Sequence, residues 1–102
     1  MNTNEKKRAD LHLHSTKSDG YNTPDEVIRL AEKAGLAAIA LTDHNLFSFT
    51  KPQKVGKMMV IPGCEFSTTY WIAERKDATE VHVVGLFPDG VDPNDFKEIF
   101  AN

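Results

Sequence analysis

The residues that could do chemistry in this chain are its four histidines and two well-placed carboxylates. His12 and His14 are two residues apart, so on a strand their rings point to the same side. Such a pair is a natural two-imidazole grip on one metal ion, and the plainer reading is two hydrogen-bonded histidines on an edge strand. Asp19 follows in a Ser-Asp-Gly turn, where a carboxylate usually accepts from the local backbone. It also lies where the loop could fold back over the histidine pair. His44 stands between Asp43 and Asn45 after a short apolar run. Glu65 has Val60, Ile61, Cys64 and Phe66 as neighbours, and a carboxylate in such company is costly to bury unless paired or bound to a cation. Its two oxygens could bridge two metals. His82 lies between Val81 and Val83, where a satisfied core histidine is the plain alternative. Nitrogen and oxygen donors together suit Zn, Mn or Fe better than Ca or a thiolate site.

Strands ending side by side would gather these groups. Ala9 to His14 alternates, with Ala9, Leu11 and Leu13 on one face and Asp10, His12 and His14 on the other, which predicts a strand. Ser15 to Tyr21 reads as a loop. Thr23 is a helix N-cap, Pro24 suits the first helical position and Glu26 can close a capping box. Val27, Leu30, Ala31 and Ala34 make the expected buried stripe, and Gly35 is the stop. Leu36 to Leu41 reads as a buried parallel strand, completing a βαβ unit. Residues 46–57, with Phe47, Phe49, Pro52 and the basic Lys51, Lys54 and Lys57, are expected to form a loop with at most a short helix. Met58 to Ile61 reads as a third strand ended by Pro62-Gly63. Phe66 to Ile72 and Glu80 to Phe87 read as an antiparallel hairpin with a polar tip. Asp92-Pro93 opens a last short helix, with Phe96, Ile99 and Phe100 on one side. All six candidate residues then fall at strand ends, in the loops just after them or on the hairpin, and the carboxyl ends of parallel strands are where α/β folds build sites.

The 102 residues suit one small domain, with residues 1–8 as a disordered lead and 9–102 as the folded unit. Net charge of −3 argues against general nucleic-acid binding through a basic face, but a metal cluster would supply its own positive charge to an anionic substrate. The single Cys64 excludes an internal disulfide and a thiolate zinc cluster. The polar N-terminus lacks a signal-peptide core, and no apolar run approaches the ~20 residues of a bilayer span. The expectation is a cytoplasmic protein with no membrane association.

The run Asp10-Leu11-His12-Leu13-His14-Ser15-Thr16-Lys17-Ser18-Asp19-Gly20 resembles the first motif of the PHP (polymerase and histidinol phosphatase) superfamily. Thr42-Asp43-His44-Asn45 resembles its second motif, and Pro62-Gly63-Cys64-Glu65-Phe66-Ser67 its third. Val81-His82-Val83-Val84-Gly85 resembles the segment carrying a further histidine. The form of the first motif is similar to that of small nucleotide phosphatases and exoribonuclease-like members. The resemblance implies the N-terminal part of a distorted seven-stranded β/α barrel, TIM-like, with parallel strands plus the antiparallel hairpin and two or three divalent metals at its C-terminal face. By that likeness His12 and His14 would hold the first metal, Glu65 would bridge the first and second, His82 would bind the second, and Asp19 and His44 the third. Asp19, His44 and Glu65 would form the catalytic set, with a metal-activated water attacking phosphorus. Asp43 and the hydroxyls of Ser15 and Thr42 are candidate orienters of the ligands. Lys17 and Asn45, with Arg75, are candidate substrate contacts by position alone.

Superfamily members are longer, and their second half supplies another histidine and an Asp-x-His pair, whereas this chain ends at Asn102. The expectation is therefore an N-terminal half with incomplete metal sites and weak or single-site binding. An open half-barrel would be covered by a second copy or a complementing chain. The leading function is hydrolysis of a phosphoric ester, in a nucleotide or short oligonucleotide. The alternative is a truncated, inactive module that binds metal or a partner chain. A third reading is metal-dependent hydrolysis of another bond, such as an amide.

Overall fold

The structure, a computed structural model, describes residues 7–100. Strand β1 (Ala9–Leu13) leads through a loop to helix α1 (Pro24–Lys33) and strand β2 (Ala38–Leu41). A short strand β3 (Gln53–Val55), a long strand β4 (Met58–Ile72) and strand β5 (Asp77–Leu86) follow. The described chain closes with a 3-10 turn (Pro93–Phe96) running into α2 (Lys97–Phe100). Six residues of the expected lead lie outside the described part, and Arg8 is already tied to the fold, its carbonyl accepting from Ala37 N at 2.7 Å. The architecture is α/β with a mixed sheet. Among the described residues no helix is long and apolar enough to cross a membrane.

Helix α1 starts as its sequence dictates. The Thr23 hydroxyl accepts from Glu26 N at 3.2 Å, and the Glu26 carboxylate accepts from Thr23 N at 3.1 Å. Its buried face differs from the expected stripe. Ile28 and Ala31 are the buried positions and Val27 packs beside them, while Leu30 is 55% exposed. At ~100° per residue, the centre of the 27/28/31 face lies about 100° round the helix from Leu30. The core consists of Ile28, Ala31, Ile39, Met58 and Val60, with Leu13, Leu36, Phe49 and Val55 packed against it.

Strands β1, β2 and β4 are parallel neighbours in that order, with Ala9 opposite Ala38 and Ile39 opposite Val60. The simple alternation expected along β1 is interrupted. Asp10 pairs with Ile39 but Leu13 with Leu41, so β1 carries one extra residue between them. This irregularity leaves Leu11 exposed while Leu13 reaches the core.

Two other expectations are corrected. Residues 53–55 are a strand, not loop or helix, because Gly56, at φ 60°, gives the tight turn that returns the chain antiparallel onto β4. Pro62-Gly63 does not end a strand: β4 runs unbroken through both. Met59 N and Glu65 N bond toward β2 and the segment after it, so by alternation Pro62 faces the opposite edge. There β3 has already ended, and the Pro62 carbonyl accepts from Phe87 N at 2.9 Å. The missing N–H of Pro62 therefore breaks no ladder bond. Beyond this point β4 and β5 form a two-stranded ribbon, with Glu65 opposite Val84 and Ser67 opposite His82. The hairpin thus starts earlier on its second strand than expected, at Asp77. The side expected for Ile99 and Phe100 lies outside the described side chains, whereas Phe96 packs against Phe47, Phe66 and Phe87.

Candidate metal centre

The strand order sets three neighbouring chain ends in a row. β1 ends just before His14, β2 leads into His44, and β4 passes beside both at Glu65. Glu65 is tied to the His44 segment by a parallel bridge, with Glu65 N donating to the Asp43 carbonyl at 3.1 Å and Asn45 N to the Glu65 carbonyl at 2.9 Å. β5 brings His82 to the other side of Glu65.

The side chains converge on Glu65, which is 6% exposed. Its Oε1 contacts His12 Nε2 and lies 3.4 Å from His14 Nε2. Its Oε2 lies 3.0 Å from His44 Nδ1 and 3.2 Å from His82 Nδ1. One buried carboxylate thus has a pair of imidazoles on each oxygen. Asp19 closes a second arrangement, with Oδ1 3.4 Å from His14 Nδ1 and Oδ2 3.1 Å from His44 Nε2. The rings of His14 and His44 stack with centroids 4.5 Å apart. All six candidate residues form one cluster of three overlapping groups, His12–His14–Glu65, His44–Glu65–His82 and His14–Asp19–His44, each with its donor atoms within 4.8 Å of one another.

Burial alone would push the Glu65 carboxyl up, but the hydrogen bond with His12 and the charges of His44, His14 and His12 outweigh it and hold the group below its usual range. The donor set fits a divalent cation. His14 Nδ1 is buried with no hydrogen-bond partner among the described residues, although Asp19 is near. A buried nitrogen left in that state, in a ring of imidazole and carboxylate donors, suits metal coordination.

Asp43, fully buried, fixes the two loops that carry Asp19 and His44. Its carboxylate accepts from Ser15 N, Ser15 Oγ and Ser18 Oγ, each at 2.7 Å, and from Ser48 Oγ. Burial would raise this carboxyl too, and the hydrogen bonds from Ser48, Ser18 and Ser15 overcome it and lower it. The loop before Asp19 folds tightly: Gly20 N donates to the Ser15 carbonyl at 2.8 Å, and a Cβ on Gly20 would lie 2.2 Å from the His14 carbonyl oxygen. Only glycine allows that approach. Phe47, packed on Phe66, Phe87 and Phe96, anchors the loop beside Ser48.

Of the expected orienters, Ser15 bonds Asp43, whereas the Thr42 hydroxyl donates to the Leu13 carbonyl at 3.3 Å and so fastens β2 to β1. The Asn45 amide oxygen is engaged by Ser67 N at 2.9 Å. Lys17 is exposed on the loop before Asp19, and Arg75 sits at the hairpin tip, where its guanidinium reaches Thr79. Ser18, Ser48 and Glu80, which is 3.3 Å from His82 Nε2, escaped the sequence reading. Glu80 carried a usable signal, since two residues before His82 on a strand means the same face.

Residues 10–93 match the PHP domain family. The chain belongs to that family. It is 33% identical over 87 residues to a 5′-3′ exoribonuclease of Haemophilus influenzae, covering 85% of this chain and 31% of the relative. It is 32% identical over 90 residues to the 5′-3′ exoribonuclease Rnm of Escherichia coli, covering 82% and 29%. A phosphoribosyl 1,2-cyclic phosphate 1,2-diphosphodiesterase of Eggerthella lenta is 35% identical over 81 residues, covering 76% and 29%. The chain therefore spans about three-tenths of the length of these relatives. The resemblance implied His12, His14 and Glu65 around a first metal, Glu65 and His82 around a second, and Asp19 and His44 around a third; the structure groups His12–His14–Glu65, His44–Glu65–His82 and His14–Asp19–His44.

Proposed function

We propose that this PHP domain contributes the N-terminal donors of a metal-dependent phosphoesterase acting on a nucleotide or short oligonucleotide. The observation that carries the reading is Glu65, buried and charged, with one histidine pair on each oxygen. The relatives' names, an exoribonuclease and a cyclic phosphate diphosphodiesterase, support phosphoric esters as the substrate class.

His12, His14 and Glu65 would hold one divalent ion, His44, Glu65 and His82 a second, and Asp19 with His44 or His14 a third, with Zn, Mn or Fe as the fitting ions. Such ions supply the charge that neutralises phosphate oxygens and the acidity that makes water a nucleophile near neutral pH. The chain's own groups set the stage. Glu65, ionised, balances the cationic charge between the histidine pairs. Asp19, with its side chain 65% exposed, is the carboxylate that meets incoming solvent and substrate. Asp43 keeps Asp19 and His44 in reach of each other through its serine bonds. Lys17 and the amide nitrogen of Asn45 are the proposed substrate contacts.

The finer fold reading, a distorted seven-stranded barrel of which these strands are part, and a cytoplasmic, reducing location for Cys64 belong to the same proposal. A homodimer or complementing chain would cover exposed Leu11, Val81, Val83 and Leu86. Sedimentation of a lone monomer at micromolar concentration would remove the homodimer. A second reading is a module that binds metal without turnover, which the same donor groups would serve. Metal analysis by mass spectrometry of the chain beside a His12→Ala/His14→Ala double variant, followed by phosphate release from nucleotides and oligonucleotides, separates the readings. Metal lost in the variant, with turnover by the parent, supports the phosphoesterase. Metal without turnover supports the binding module, and no metal overturns both.

A further inference from the structure

The geometry points to Glu80 as a positioning residue that selects the ring tautomer of His82 and so presents His82 Nδ1 to a divalent cation. Glu80 and His82 share one face of β5, and Glu80 Oε1 lies 3.3 Å from His82 Nε2. The opposite ring nitrogen, Nδ1, lies 3.2 Å from Glu65 Oε2 and 3.2 Å from Ser67 Oγ. A neutral imidazole has one N–H to place. With the proton on Nδ1, Nε2 turns a lone pair onto the Glu80 carboxylate, and two acceptors face each other. With the proton on Nε2, Glu80 accepts it, and Nδ1 offers its lone pair to the Ser67 hydroxyl or to a cation beside Glu65. Without a cation, Glu65 Oε2 competes with Glu80 for the one proton, so Glu80 shifts a balance between the two forms. A carboxylate behind the ring is the usual way that a ligating histidine is oriented and made more basic.

His82 needs such support more than the two enclosed histidines. Its side chain is 44% exposed, against 22% for His14 and 28% for His44. It also sits on a two-stranded ribbon, where strand pairing alone holds a side chain loosely. Glu80 is itself 63% exposed, so its effect is the modest one of a hydrated carboxylate. The inference rests on the metal reading of the site for its purpose, but the tautomer is a property of the metal-free chain and is tested there.

The experiment uses the whole chain with nitrogen-15-labelled histidines, metal-free and at alkaline pH, comparing it with Glu80→Ala and Glu80→Gln. Long-range proton–nitrogen spectra should show a larger share of the Nε2–H form of His82 in the parent than in Glu80→Ala, where Glu65 alone faces the ring. Glu80→Ala should shift the ring toward the Nδ1–H form, and Glu80→Gln, whose amide carbonyl still accepts, should keep most of the parental form. Titration with Zn²⁺ alone should show affinity about tenfold weaker in Glu80→Ala and partly restored in Glu80→Gln. An unchanged ring spectrum in Glu80→Ala overturns the proposal, as does a Glu80→Gln variant that falls as far as Glu80→Ala. A parent that takes no Zn²⁺ removes the metal reading, while the spectra still decide what Glu80 does to His82.

Discussion

Replacing Asp43 should loosen the site before it unfolds the domain. The buried carboxylate takes four hydrogen bonds, two of them from fully buried Ser15. A hydrogen bond to a charged group contributes about 1.5–3 kcal/mol net, and the burial cost of the carboxylate offsets part of the sum. Asp43→Ala strands the Ser15 N–H in a dry place, while the half-buried Ser18 and Ser48 hydroxyls can turn to water. The expected loss is about 3–5 kcal/mol, a large part of a small domain's ~5–15 kcal/mol. Asp43→Asn should cost only about 1–2 kcal/mol. Its amide oxygen can replace Oδ1, which serves the Ser15 N–H and Ser18, and its NH₂ can face Ser15 Oγ and Ser48 Oγ, which rotate to accept. Because the folded Asp43 carboxyl is held below its unfolded value, its contribution is present above the unfolded pKa of ~4 and fades as pH falls through the folded one. The urea midpoints of parent and Asp43→Asn should therefore converge on acidification from about pH 4 downward. The site should report the same change, with metal affinity falling in Asp43→Ala because Asp19 and His44 are no longer held on one frame. Urea unfolding across pH, with Zn²⁺ titration of each variant, checks this. Parental stability in Asp43→Ala, or an Asp43→Asn variant as damaged as Asp43→Ala, refutes the reasoning.

Glu65→Gln should lower retained divalent metal at least tenfold, measured by metal analysis after gel filtration, since every histidine of the chain meets this carboxylate. Thr23→Ala removes the N-cap acceptor of α1, whose hydroxyl serves Glu26 N, so thermal unfolding should show a loss of about 1 kcal/mol with Zn²⁺ affinity unchanged. Burial, reinforced by the charges of Asp43 and Glu65, pushes the Cys64 thiol up to about 11. Iodoacetamide should therefore leave the folded chain unmodified at neutral pH and label it once urea unfolds it, as mass spectrometry would record.

The parts of the fold legible in the sequence were those whose signal is local. Thr23, Pro24 and Glu26 specify a helix start by hydrogen bonds within one turn, and they form it. The short apolar run before Thr42 has one use in a βαβ unit, a buried strand. What was not legible depends on partners distant in the chain. Pro62 reads as a strand end until one knows that its N–H side faces the gap between β3 and β5. Leu30 belongs to an apolar stripe by spacing, but the sheet meets the helix on the Ile28 side. The extra residue in β1 leaves no mark in composition, yet it decides that Leu11 is exposed.

The site follows the same division. His12, His14, Asp19, His44, Glu65 and His82 were nameable because imidazoles and carboxylates at strand ends are chemically conspicuous and because their motifs resemble a known set. Of the groups around them, Asp43 and Ser15 were already candidate orienters, but Ser18 and Ser48 were not, since serine is common and its role depends on what it faces. Ser18 and Ser48 matter only because both reach one buried carboxylate from different loops. The candidate donor atoms are thus carried by residues that advertise themselves, and the loops bearing Asp19 and His44 are tied together by ordinary hydroxyls around Asp43. A variant that keeps all six donors and removes Ser18 and Ser48 together should therefore retain the donor chemistry and lose the geometry. Weakened Zn²⁺ binding with every donor present would separate the frame from the ligands, and parental binding would show that the donors position themselves.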